Sequence, residues 1–101
     1  MFDGAARTVR AAVAIRDAAR ALGIEVRTGI HTGEVEVVGD DVRGIAVHEA
    51  ARIAAAAAGG EILLSVTTTQ LASGSELTFE ERGERELKGL DGPRKLFALR
   101  D

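Results

Sequence analysis

The chain contains no cysteine, and this absence removes disulfides, thiolate metal sites and cysteine nucleophiles together, along with any redox marker of compartment. Histidine is nearly as scarce, with two residues available for metal or acid–base work. Only three residues are aromatic, so although 46% of the chain is apolar, much of that is alanine, which removes little area from water per residue. A thin core follows. A chain of 101 residues supports one domain spanning positions 1–101. At that size roughly 60 to 70 per cent of the unfolded surface can be buried. No run approaches the roughly 18 uninterrupted apolar residues of a membrane span, and the N-terminus lacks the basic-then-apolar order of a secretory signal. No membrane association and a cytoplasmic location are therefore expected. The net charge of −3 carries no basic excess, so neither nucleic acid nor an anionic membrane is an expected partner.

What is present reads as alternating helices and strands. Asp3-Gly4 precedes an alanine- and arginine-rich run closed by Gly23, which predicts a helix from about Ala5 to Leu22. Ala11, Ile15, Ala18 and Leu22 repeat at 4-3-4 spacing and form its expected packing face, leaving Arg7, Arg10, Arg16, Asp17 and Arg20 to water. Ile24 to Ile30 alternates as a strand. A bend at Gly33 joins it to a second extended stretch over Glu34 to Val38, which Gly39-Asp40-Asp41 ends. Ile45 to Ala58 is a second helix stopped by Gly59-Gly60, with Val47, Ala50 or Ala51, Ala54 and Ala58 as its apolar stripe. Glu61 to Ser65 is a short buried strand leading into a capped helical turn through Leu71. Leu77 to Leu87 and Lys95 to Leu99 form a hairpin around the turn residues Lys88 to Pro93.

The common catalytic signatures are absent: there is no phosphate-binding glycine loop, no HExxH and no serine elbow. His31 at a strand end reads as structural. Asp40-Asp41 reads as turn chemistry, because no third hard ligand is spaced to complete a cation site. His48 and Arg52 lie four apart and share a helix face. A guanidinium there suits a polyphosphate, but spacing alone favours a solvated arginine. Lys88, beside Gly89 in a turn, reads on the same footing as a solubilising residue.

Four blocks change those readings when taken in order: Arg27-Thr-Gly-Ile-His-Thr-Gly-Glu-Val35, Gly44-Ile-Ala-Val-His-Glu-Ala-Ala-Arg52, Gly60-Glu-Ile-Leu-Leu-Ser65 and Leu87-Lys-Gly89. Together they resemble the class III adenylate and guanylate cyclase catalytic domain, in its actinobacterial form, over most of the chain. The resemblance implies an α+β, ferredoxin-like cyclase homology domain, with an antiparallel-dominated sheet, helices packed on one face and sites formed across a head-to-tail dimer. It implies that Asp41 reads the purine and favours ATP, that Arg52 stabilises charge at the reacting α-phosphate, and that Lys88 contacts the triphosphate. His48 stands where the family usually has a ribose-positioning asparagine; a neutral imidazole offers one donor and one acceptor where the amide offers two donors and an acceptor.

The family uses Mg2+ or Mn2+, held by two aspartates on a first strand and a central hairpin. Neither aspartate has a counterpart here, and Met1-Phe2-Asp3-Gly4 resembles the stretch that follows that hairpin. The resemblance therefore implies a truncated, C-terminal portion of the domain, without metal ligands of its own and inactive alone. Its expected partners are a second copy or a complete cyclase domain, with ATP bound if a shared site forms. A non-catalytic regulatory module and a degenerate fragment stand as the alternatives.

Overall fold

In a computed structural model, residues 4–32, 34–38, 49–87 and 89–100 are described. The elements run α1 (Gly4–Ala21), β1 (Arg27–His31), β2 (Glu34–Val38), α2 (Glu49–Ala56), β3 (Ile62–Ser65), α3 (Val66–Leu71), β4 (Thr78–Glu86) and β5 (Pro93–Arg100). The five strands form one sheet in the order β2-β1-β3-β5-β4. β1–β2, β3–β5 and β4–β5 pair antiparallel and β1–β3 pairs parallel, so the antiparallel-dominated α+β expectation holds. Among the described residues no helix is long and apolar enough to cross a membrane.

Strand alternation sorts the core into two layers. On one face Ile53 and Ala57 pack with Leu63, Leu87, Leu96 and Ala98. On the other, Val9 and Ala12 of α1 pack with Ile30, Ile62 and Leu64. The two main helices therefore lie on opposite faces, not on one. The cause is that β3 is buried along its whole length and apolar on both sides, so each side needs its own cover.

Gly29 explains how closely α2 approaches. A Cβ at this position would lie 2.9 Å from the Ala54 Cα and nearer still to the Ala54 nitrogen and the Ala50 oxygen, so the helix backbone rests directly on the strand. Small residues on the facing side of α2 permit the contact: Ala50, Ala51, Ile53 and Ala54 are buried. Ala54 and the Ala50–Ala51 pair match the expected stripe, Ile53 and Ala57 join it, and Ala58 is exposed.

α1 departs from its expected orientation. Its buried residues are Ala5, Ala6, Val9, Ala12 and Arg16, whereas Ile15 and Leu22 are 43% and 78% exposed. Ala5, Val9, Ala12 and Arg16 share the 4-3-4 spacing of the stripe read from the sequence, six positions earlier. At 100° per residue that shift rotates the helix by about 120°. Arg16 is thus enclosed, with its Nε donating to Asp17 Oδ1 at 3.0 Å.

The remaining elements follow their local chemistry. Ser65 caps α3 by accepting from the Thr68 amide at 3.2 Å. In β4 one extra residue sits between Glu81 and Glu84, where Gly83 adopts φ 83 and supplies the positive angle that a bulge requires. Beyond this bulge Arg85 Nη1 donates to the Ala56 carbonyl at 3.2 Å, satisfying the C-terminal end of α2. Leu87 then enters the core beside Ile53 and fixes where the following turn begins.

Candidate functional site

Four site residues were expected: Asp41, His48, Arg52 and Lys88. Asp41, His48 and Lys88 lie outside the described residues. Arg52 is on α2, half-buried, and its Nε is enclosed without a hydrogen-bond partner among the described residues. Its guanidinium faces Gly89: a Cβ built there would stand 3.2 Å from Arg52 Nη2 and 3.5 Å from Cζ. The turn that follows Lys88 therefore lies against Arg52, across 36 intervening sequence positions (52 to 89, exclusive). Gly89 has φ 85, and the absence of a side chain is what allows the turn this close.

One helical turn before Arg52, the Glu49 carboxylate organises polar groups that sequence reasoning did not single out. Glu49 Oε2 accepts from Arg94 Nε at 3.3 Å and lies 3.9 Å from His31 Nδ1. The same His31 nitrogen is 2.9 Å from Ser65 Oγ, which in turn lies 3.0 Å from Thr68 Oγ1. Thr68 Oγ1 also accepts the Thr32 amide at 2.6 Å, holding Thr32 at its positive φ of 47. Ser65 is buried and already serves as a helix cap, and its hydroxyl meets the same imidazole nitrogen as Glu49. The geometry is that of a structural network rather than of a serine nucleophile with its base, in agreement with the structural reading of His31. The signal for Glu49 was its place between two candidate residues, His48 and Arg52.

Among the described residues no group of three or more histidine, aspartate or glutamate side chains could hold a metal ion. The donors among the described residues do not suit a two-metal centre, which needs converging carboxylates. What the described residues offer is positive charge: a partly desolvated guanidinium beside a turn.

The fold is that of a nucleotide cyclase homology domain. The description "Adenylate and Guanylate cyclase catalytic domain" matches residues 6–101, and the chain belongs to that family. Its sheet and helices resemble those of the adenylyl cyclase CyaB of P. aeruginosa, with 26% identity, a TM-score of 0.58, and coverage of 91% of this chain and 53% of that one. The adenylate/guanylate cyclase/hydrolase of Silicibacter pomeroyi aligns with 25% identity and a TM-score of 0.68 over 99% of this chain and 64% of that one. An uncharacterized protein of Mycobacterium tuberculosis is 38% identical over 97 residues, or 94% of this chain. The chain spans about a quarter of the length of that relative, the matched share being 25%.

Proposed function

We propose that these residues supply the purine-reading and transition-state side of an adenylate cyclase site shared with a complete cyclase domain. In the parent reaction the ribose 3′-hydroxyl of ATP attacks the α-phosphorus. The O3′–P bond forms, the bond to the bridging oxygen of the β-phosphate breaks, the hydroxyl proton is lost, and 3′,5′-cyclic AMP and pyrophosphate leave. Arg52 would stabilise the charge that builds on the α-phosphoryl oxygens, and Lys88 would hold the departing triphosphate end. Asp41 would select adenine and His48 would orient the ribose. The magnesium or manganese ions of the family supply charge stabilisation for attacking and leaving oxygens when bound, and their ligands would come from the partner.

The observation that carries this reading is the Arg52 guanidinium, with its buried, unpartnered Nε, set against the turn after Lys88. The test is co-purification with a complete cyclase domain. The complex should convert ATP faster than that domain alone, and Arg52→Ala should remove about 100-fold or more of the gain, the usual effect of deleting one charge-stabilising donor. These 101 residues alone should not turn over ATP with magnesium or manganese. Turnover by the isolated chain would overturn the shared-site reading.

A second reading, a non-catalytic docking module, is favoured by a separate observation. Ile15, Leu22, Ile24 and Leu71 are all exposed, and a groove of about 360 Å³ beside α1 is lined by Val13, Leu77 and Leu99 with Arg10 and Arg100. Under this reading the complex forms and the activity gain survives Arg52→Ala.

A further inference from the structure

We propose that Glu49 and Arg94 are a positioning pair that sets the spacing between Arg52 and the 89–92 turn that follows Lys88 in sequence. The role in catalysis rests on the shared-site reading above; the geometry does not. Arg94 is a three-way clip. Its Nε donates to Glu49 on α2, while its Nη1 donates to the carbonyl oxygens of Asp91 and, at 3.3 Å, Gly92. Glu49 and Arg52 are three apart on α2 and so project from neighbouring positions of one helix. A closed circuit results, running from α2 through Glu49 to Arg94, from Arg94 to the 89–92 turn, and from Gly89 back to Arg52.

Among the described residues, the other ties between turn and helix are apolar. Leu87 is buried against Ile53, Leu90 packs at the edge of that cluster, and the Leu90 amide bonds the Leu87 carbonyl at 3.0 Å within the turn itself. Apolar contacts hold the turn near the helix without fixing its direction. A guanidinium that bridges a carboxylate and two carbonyls fixes both, because its donors lie in one rigid plane. The carboxylate is only 20% exposed and His31 Nδ1 faces it from β1 at 3.9 Å, so the pair is better shielded than a surface ion pair. Among the described residues, the ionisable groups facing the carboxylate from the packed elements are His31 on β1 and Arg94 on β5. In a reaction between positioned groups, a displacement of about 1 Å can cost on the order of 100-fold in rate.

Two measurements test the proposal. In the isolated chain, the enclosed Arg52 Nε–H and the amides of Gly89 to Gly92 are followed by nitrogen-15 NMR and hydrogen exchange. Arg94→Ala and Glu49→Gln should shift the Arg52 Nε–H and turn amide resonances and speed exchange of the Leu90 amide, which the Leu87 carbonyl holds, about 10-fold or more. The amides of Leu63 and Leu64 should stay protected, and Arg94→Lys, which keeps the charge and loses the fork, should behave like Arg94→Ala. Unchanged Arg52 and turn signals would overturn the pair. In the complex with a complete cyclase domain, Arg94→Ala should lower kcat about 10- to 100-fold while KM for ATP changes less than about threefold. A full kcat for Arg94→Ala, in a complex where Arg52→Ala is impaired, would overturn the catalytic consequence. An unimpaired Arg52→Ala would instead refute the shared-site reading, and the NMR result would then decide the pair by itself.

Discussion

Adding one methyl group at Gly29 places it inside the backbone of α2. The new carbon would stand 2.9 Å from the Ala54 Cα and closer to the Ala54 nitrogen and Ala50 oxygen, where ordinary contact begins at 3.4 Å. These obstacles are helix backbone, not the ends of flexible side chains, so the helix has to lift by about 1 Å as a unit. Lifting it opens a gap beneath Ala50, Ala51, Ile53 and Ala54, and a gap of that order forfeits roughly a quarter to a half of the dispersion energy of each contact. Overpacking of a close-packed site costs about 1–3 kcal/mol, and a rigid obstacle puts Gly29→Ala near the upper figure. A loss of about 3 kcal/mol in a domain of this size lowers Tm by roughly 12–24 °C. Thermal unfolding followed by circular dichroism measures it. Gly4→Ala is the control, since nothing lies within 4 Å of a Cβ at that position, and it should leave Tm unchanged or slightly raised. A Gly29→Ala protein melting within about 3 °C of the parent would refute the close packing of α2 on β1.

Acid should weaken the fold partly through Glu61. Burial alone would raise its carboxyl, but the Ala58 amide at 2.9 Å, the Arg82 guanidinium bonded to it and nearby Arg85 outweigh that and hold it below the ordinary 4.5. A folded-state value below the unfolded one gives stability that is present above about pH 4.5 and lost as pH falls through the folded value. Glu61→Gln should therefore flatten the decline of the urea midpoint below about pH 5, and parallel curves for both proteins from about pH 3 to 7 would contradict the assignment. The exposed apolar side chains of α1 should drive self-association: the parent chain is expected to sediment as a dimer or larger at micromolar concentration. The double variant Ile15→Glu with Leu22→Glu should be monomeric with unchanged helix content, because both side chains stand in solvent. A stable parent monomer would count against it.

The strands were legible because alternation is a local property: β1 and β2 begin or end within a few residues of their expected limits, and the hairpin of β4 and β5 encloses the expected turn. Where the sequence misled, two signals of equal strength competed. Ala5-Val9-Ala12-Arg16 and Ala11-Ile15-Ala18-Leu22 both satisfy helical spacing, and the second is the more apolar. The first is nevertheless the buried one, since Ala5, Ala6 and Ala12 let α1 come close to a sheet already filled by Ile30, Ile62 and Leu64. Periodicity measures apolar content around a helix; it does not measure the depth of the surface awaiting it.

The site divides along the same line. Arg52 was singled out only through a pattern of residues spread over most of the chain, and the fold lays the turn after Lys88 on its guanidinium. Glu49 and Arg94 were not legible, because they are 45 positions apart and meet only once β5 has paired with β3 beneath α2. Nothing in local propensity or spacing links a glutamate on α2 to an arginine that follows a proline. Their contact is a product of sheet order, which places β5 beside β3 and so brings the 89–92 turn to the end of α2 where its charge is met. If this order is what makes the cation site, the residues that tune it should be sought among those the sheet brings to that end of α2, and Arg94 is the first of them.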